Sequence, residues 1–430
     1  MDTLITNARL IDPETGTETT GSLRMAGGVI AEVLTDSAPV AGEARILDAG
    51  GLCVAPGLID IGVKICEPGE RHKESFRSAG RAAAAGGVTT MVTRPDTLPA
   101  IDTPEVLEFQ TRRAAEASPV RVAPMAALTK GRDGREMVEI GFLKDGGAVA
   151  FTDCDRVVSN TKVFARALTY AQSLNALVMA HVQEPGLSAG AAATSGARAS
   201  RMGLPAVSPM AERMALDRDI ALLEMTGAAY HADQITTRRA LPALERAKRN
   251  GLDITAGVSI HHLTLTDAAI EDYRTFFKVK PPLRPEADRA AVVEALASGL
   301  IDVVSSMHTP QDEESKRLPF EEAASGAVGL ETFLPAMLGL VATGELTLAQ
   351  VFRAAALAPA QRLGLPGGTL RQGAPADVIL FDPDAAFTMD RETLNSKSKN
   401  TPFDGAAMQG RVLGTWVGGK CVYGGHDATT

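Results

Sequence analysis

The sequence is poor in aromatic side chains, in paired cysteines and in several of the short motifs that mark catalytic chemistry. Each shortage removes a class of explanation. Phe, Trp and Tyr make up 4% of the 430 residues, so the core has to rest on aliphatic side chains and on the abundant Ala and Gly. No run of about 18 apolar residues occurs, and no membrane span is expected. The N-terminal stretch MDTLITNARLIDPETG has no basic segment followed by an apolar block, which argues against a signal peptide. The formal net charge of −9 argues against a general nucleic-acid binder, because phosphate contacts need a basic face. Cys53, Cys66, Cys154 and Cys421 are far apart and form no CxxC pair, so free thiols in a reducing cytoplasm are expected. Neither HxH nor HExxH is present, and no GxGxxG follows the first strand, so spacing alone supports neither a metal motif nor a dinucleotide crevice.

What is present is a rhythm. The first 55 residues hold TLITNARLID, GSLRMAGGVIAEVL and ARILDAGGLCVAPG, short runs bounded by Gly, Asp or Pro that read as antiparallel strands and turns. From about residue 365 the same texture returns in GGTLRQGAPADVILFDPDAAFTM and GRVLGTWVGGKCVYGG. The two ends predict one composite β-sandwich domain, residues 1–55 plus 365–430. Between them strand-like runs alternate with helical ones: VTTMVTRP precedes TPEVLEFQTRRAAEA, GGAVAFTD precedes NTKVFARALTYAQSL, and ALVMAHV comes before AERMALDRDIALLEMTG. Such βα units predict an α/β class with a parallel sheet under helices, and residues 56–364 suit a (β/α)8 TIM-like barrel. A doubly wound sheet is the alternative. Residues 184–209, rich in Gly and small side chains, follow a strand without a pattern; they read as a mobile loop at the catalytic face, either connector or lid.

In a barrel the chemistry sits where strands end. Asp60, Lys64, Asp153, His181, His231, His261, His262 and His308 fall near such ends. Their spacing does not separate ligands from structural histidines.

The stretch VAPGLIDIGVKICEPGERHKESFRSAGRAAAAGGVTTMVTRPDTLP resembles the dihydroorotases of the amidohydrolase superfamily. So do FLKDGGAVAFTD, ITAGVSIHHLTLTD, FFKVKPPLR, LPFEEAASGAVGLETFLP and SKSKNTPF, so the likeness runs nearly end to end. Allantoinases and dihydropyrimidinases share the frame. The resemblance implies a barrel with a sandwich built from both termini. It also implies the reversible closure of carbamoyl aspartate to dihydroorotate in pyrimidine synthesis. There, zinc in active relatives lowers the pKa of a water and polarises the amide carbonyl, while an Asp shuttles the proton.

Carried over residue by residue, the working parts change. The first-strand zinc histidines fall on Gly62 and Lys64, and a third on Gln234; His231, earlier in that stretch, is not the usual ligand. The ligands Asp153 and His181 are kept. The substrate-site positions fall on Cys66 (an arginine in the family), Asp96 and Lys280 (asparagines), with Arg94 and His308 alongside. The catalytic Asp falls on Met307, whose thioether neither takes nor gives a proton.

The resemblance therefore implies a catalytically inactive dihydroorotase-like subunit with no cofactor. Its implied partner is the aspartate carbamoyltransferase catalytic chain, and a homo-oligomer is allowed. The alternative is an active hydrolase on cyclic amides with an atypical metal site drawn from Asp153, His181, His308, Cys66 and Cys154. A third reading is a small-molecule site, in which Arg94, Lys280 and Lys64 would suit a carboxylate or phosphate. Lys64 is predicted to enter the vacated metal space and pair with Asp153 or Asp155, because a buried carboxylate needs a partner.

Overall fold

The computed structural model describes residues 2–35 and 44–425. Its centre is a parallel barrel. Strands Leu58–Val63, Val88–Thr93 and Arg121–Pro124 pair in sequence order, and Val178–His181, Tyr230–Asp233, Ile254–Ser259 and Val303–Ser305 do the same. Phe151 joins the two groups through parallel bridges to Ala126 and Val178, and the backbone of residues 149–152 serves as the fourth stave. The ring closes between first and last strands. Ser306 donates its amide (3.1 Å) and its hydroxyl to the Asp60 carboxylate, and the Lys64 amide donates to the His308 carbonyl at 2.9 Å. The predicted TIM-like barrel is what the chain forms.

Small residues let helices lie close to this barrel. Ser75 and Ser78 cap the helix Phe76–Ala85 reciprocally. A Cβ added to its Gly80 would stand 2.6 Å from Pro119 Cδ, and one on Gly86 only 2.0 Å from the Leu330 carbonyl oxygen. The scarcity of aromatics thus goes with close helix contacts rather than with a thin core.

The termini build one eight-stranded sheet. Its order runs Lys420–Gly424, Ala407–Val417, Val378–Thr388, Cys53–Pro56, Thr3–Asp12, Thr17–Ala26 and Val29–Leu34, with Arg45–Asp48 pairing the edge of Thr3–Asp12. Ile5, Leu10, Leu23, Ile30, Val54, Val378, Leu380 and Trp416 share a separate core within it. Both ends of the chain contribute, so the composite β-rich domain stands.

Residues 184–209 differ from the expected patternless loop. They carry the short helices Pro185–Ser188 and Ala197–Met202 and the paired strands Ala193–Thr194 and Ala206–Val207. Ala192, Ala193 and Ala199 pack with Ile270, Leu283 and Phe320. The small side chains of this segment allow close packing rather than a patternless loop.

The β-rich domain is pinned to the barrel at Asp377. Arg121, on a barrel strand, reaches it twice, at 2.7 and 3.1 Å, and the Gly418 amide donates to it at 2.6 Å. Asp377→Ala removes all three bonds and is expected to cost about 2–3 kcal/mol of unfolding free energy in urea. Exposed Arg371→Ala should stay within about 0.5 kcal/mol of the parent. A loss at Asp377 no larger than that control would show that the domains are held elsewhere.

Candidate functional site

A cavity of about 250 Å³ opens at the C-terminal ends of the barrel strands. Lys64, Arg94, Asp96, His181, Gln234, Lys280 and Met307 all line it, so most of the positions singled out in the sequence do converge. Gly62, Cys66, Asp153 and His308 do not line it, and each absence has a local cause.

Two clusters of charge organise the walls. In the first, Arg94 Nη2 lies 3.0 Å and Lys64 Nζ 3.4 Å from Asp96 Oδ2, with Glu70 3.8 Å from Lys64. Burial works against each charge, yet the mutual attraction wins. The Asp96 carboxyl is held below its ordinary range and the Lys64 ammonium above its own. In the second cluster Asp155 accepts from Arg132 at 2.8 Å and from Lys280 at 3.2 Å. Burial, with Lys280 nearby, drives His181 down to about 3, so its imidazole is neutral at physiological pH.

The expected pairing of Lys64 with Asp153 or Asp155 is therefore wrong. Asp153 is turned away from the cavity: its Oδ1 accepts the Leu128 and Thr129 amides, both at 3.0 Å, and the Thr129 hydroxyl donates to Oδ2. Two amides and a hydroxyl satisfy it without a direct ion pair. Asp155 is already shared by two cations, which leaves Asp96, two residues beyond Arg94, as the partner of Lys64.

Gly62 lies under Met307. A Cβ at position 62 would stand 2.5 Å from Met307 Sδ and 3.2 Å from the Ser305 side chain. The thioether thus occupies the space into which a side chain at 62 would grow, so Gly62 and Met307 fit each other. Cys66 follows the end of its strand at Val63, so strand parity does not carry its side chain to the cavity; burial pushes its thiol up to about 12. His308 is fully buried on the far side, with Nε2 3.5 Å from Glu74, and its Nδ1 accepts the Gly329 amide at 3.2 Å. Gln234 donates to the Lys280 carbonyl at 3.2 Å.

Of the other strand-end histidines, His261 and His262 line the cavity, His261 with Nε2 lacking a hydrogen-bond partner among the described residues, while His231 and His262 have structural partners. His231 Nδ1 lies 2.8 Å from the Thr255 hydroxyl, and His262 bridges Ser259 Oγ (2.7 Å) and the Pro281 carbonyl (3.1 Å). The pentad GLSAG, 186–190, has the spacing of a nucleophile elbow, but Ser188 ends the four-residue helix Pro185–Ser188 and does not line the cavity.

Zinc does not fit this donor set. Position 62 offers no atom, Lys64 is an ion-paired cation, the Gln234 amide is engaged, and Asp153 is spent on backbone amides. Among the described residues no group of three or more His, Cys, Asp or Glu is placed to hold a metal, so the atypical site drawn from Asp153, His181, His308, Cys66 and Cys154 is not assembled.

Sequence reasoning missed Arg132, Arg156 and Asp233, which also line the cavity. The run TKGRDGR, 129–135, basic and glycine-rich just beyond a barrel strand, was the available signal for Arg132.

The contact between positions 62 and 307 is testable. Gly62→Ala should cost about 1–3 kcal/mol of stability through overpacking, and Met307→Ala in the same chain should recover at least half of that loss. Additive losses in a double-mutant cycle would mean the two side chains do not compete for one space.

Comparison with known proteins agrees with this frame. Residues 51–240 match the family described as Dihydro-orotase-like, and residues 323–423 match the Amidohydrolase family. The dihydroorotase of Syntrophus aciditrophicus is 38% identical over 98% of this chain and 99% of its own length. That of Anaeromyxobacter dehalogenans is 40% identical over 97% of each. A dihydroorotase-like protein of Pseudomonas putida is 39% identical over 98% of this chain and 99% of its own. Among solved structures, the L-hydantoinase (dihydropyrimidinase) of Arthrobacter aurescens superposes with a TM-score of 0.89 at 25% identity, over 98% of this chain and 96% of that one. With a barrel, a β-rich domain from both termini and relatives aligned over nearly their whole lengths, the chain belongs to the dihydroorotase family of the amidohydrolases.

Proposed function

We propose that this chain is a dihydroorotase-like protein of pyrimidine biosynthesis whose barrel has no zinc-hydrolase activity of its own. In this reading it serves as a structural partner of the aspartate carbamoyltransferase catalytic chain. The observation that carries the loss of activity is the packing of Met307 over Gly62. One residue stands where the proton shuttle is needed, and it fills the space of a metal-ligand side chain. Losing a single donor at an active site typically costs roughly 10²–10³ in rate; here the shuttle and three ligand positions are gone together. The framework is intact, as a scaffolding role requires.

A second reading is an active hydrolase on cyclic amides, dihydroorotate or a related ring. Its support is that relatives at 38–40% identity over almost the entire chain are named dihydroorotase. The buried, neutral His181 also keeps its Nε2 free of any hydrogen-bond partner among the described residues.

One set of measurements separates the two. The first reading expects well under one zinc per purified chain and no dihydroorotate turnover approaching the ordinary range of about 1–1,000 per second. It also expects co-elution with the transcarbamoylase chain in size-exclusion chromatography. Turnover in that range establishes the second reading, and failure to co-elute at low salt removes the scaffold role.

A further inference from the structure

The cavity has the wrong sign for a dication and the right sign for an anion. Five cationic side chains line it, Lys64, Arg94, Arg132, Arg156 and Lys280, in a chain whose formal charge is −9. The carboxylates facing them are Asp96, Asp155 and Asp233. Asp96 is divided between Arg94 and Lys64, Lys64 also lies 3.8 Å from Glu70, and Asp155 is divided between Arg132 and Lys280, which leaves Arg156 as the fifth cation of the lining. Arg156 spends Nη1 on the Gly131 and Arg132 carbonyls, both at 3.3 Å.

Four buried groups at the cavity are short of a partner, Asp96 Oδ1 and His261 Nε2 as well as the two that bear on an anion. Arg94 is 7% exposed and His181 3%, and neither Arg94 Nε nor His181 Nε2 has a hydrogen-bond partner among the described residues. Arg94 is always charged and donates only, so what suits it is an acceptor-rich group. Lys280, 45% exposed at the rim, places a further positive charge where an incoming anion arrives. A space of about 250 Å³ admits a compact molecule and excludes a polymer.

We propose that this cavity binds a compact oxyanion, either a phosphate or a small dicarboxylate, between Arg94 and Lys64 on one wall and Lys280 on the other. The proposal rests on the reading that the site holds no zinc. It adds that charge inversion has turned a cation site into an anion site. The cations that exclude the metal are the ones that recognise the ligand.

The test is calorimetric titration of the full chain with inorganic phosphate and, separately, with succinate, on a preparation whose zinc content has been measured. Saturable binding near one per chain is expected, with a dissociation constant below about 1 mM and weakening as salt is added. Arg94→Gln should weaken it roughly tenfold or more. Lys280→Ala, at an exposed position that leaves folding intact, should weaken it by roughly threefold or more. The tighter of the two probes identifies the ligand class. Saturable binding of neither probe, or binding that both variants leave unchanged, overturns the proposal. If zinc is absent when that happens, this inference fails alone; a full zinc equivalent sinks the underlying reading as well.

Discussion

Arg94 is buried at the mouth of the barrel and carries a charge it cannot lose, so a carboxylate has to stand beside it. Asp96 fills that need, and its remaining capacity draws in Lys64. The same logic repeats across the cavity, where Asp155 is held between Arg132 and Lys280. With these pairs in place, a metal would have to compete with fixed positive charge, and the neutral His181 is left as an isolated ligand type. Lys64, Arg94, Asp96 and Lys280 are therefore parts of one electrostatic arrangement. An acid at 96 that would repel a substrate carboxylate in isolation is neutralised here by its two cations.

The framework around this changed pocket is held by a second, separate network. Glu74, fully buried, receives the Ser78 and Ser396 hydroxyls and faces His308. Burial would raise its carboxyl, but His308 and these hydroxyls hold it below its ordinary range. Asn400 donates to the Thr309 and Gly326 carbonyls and accepts the Gln311 amide, while Ser398 donates to the Lys73 carbonyl. The block SKSKNTPF thus ties the loops after the first and last barrel strands to each other. Asn400 thereby holds the backbone of Thr309, Gln311 and Gly326, which line the cavity, without entering it itself.

Much of the fold was legible because it depends on periodicity. Alternating βα runs specify a parallel barrel, and the matching texture of the two ends specifies a shared sheet. Convergence at the cavity was legible at Lys64, Arg94, Asp96, His181, Gln234, Lys280 and Met307, which follow barrel-strand ends or the loops beyond them. What failed was side-chain direction just past those ends. Pleat parity stops where the strand stops, at Val63 for Cys66, and local hydrogen bonds take over. Asp153 turned into amides supplied by residues 24 and 25 positions earlier, and His308 into a carboxylate 234 positions away, distances at which no local pattern operates. Arg132 and Arg156 reach the cavity from beyond two different strands, and neither belongs to a recognisable motif.

The backbone at the mouth shows what the inherited frame still constrains. Cys154, Gln234 and Met307 all hold positive φ, +56°, +62° and +47°, in the left-handed region that costs a non-glycine residue roughly 1–2 kcal/mol. None of the three is a residue type that favours this region. The conformation persists because the chain on either side is fixed. At Met307, the Ser306 amide is held by Asp60, the His308 amide donates to Ser306 Oγ at 3.1 Å, and the Thr309 amide donates to the Ala327 carbonyl at 2.7 Å. The shape of this strand end is therefore held by ring closure and loop stitching. At position 307 the thioether therefore packs over Gly62 on a backbone whose left-handed conformation the neighbouring hydrogen bonds fix.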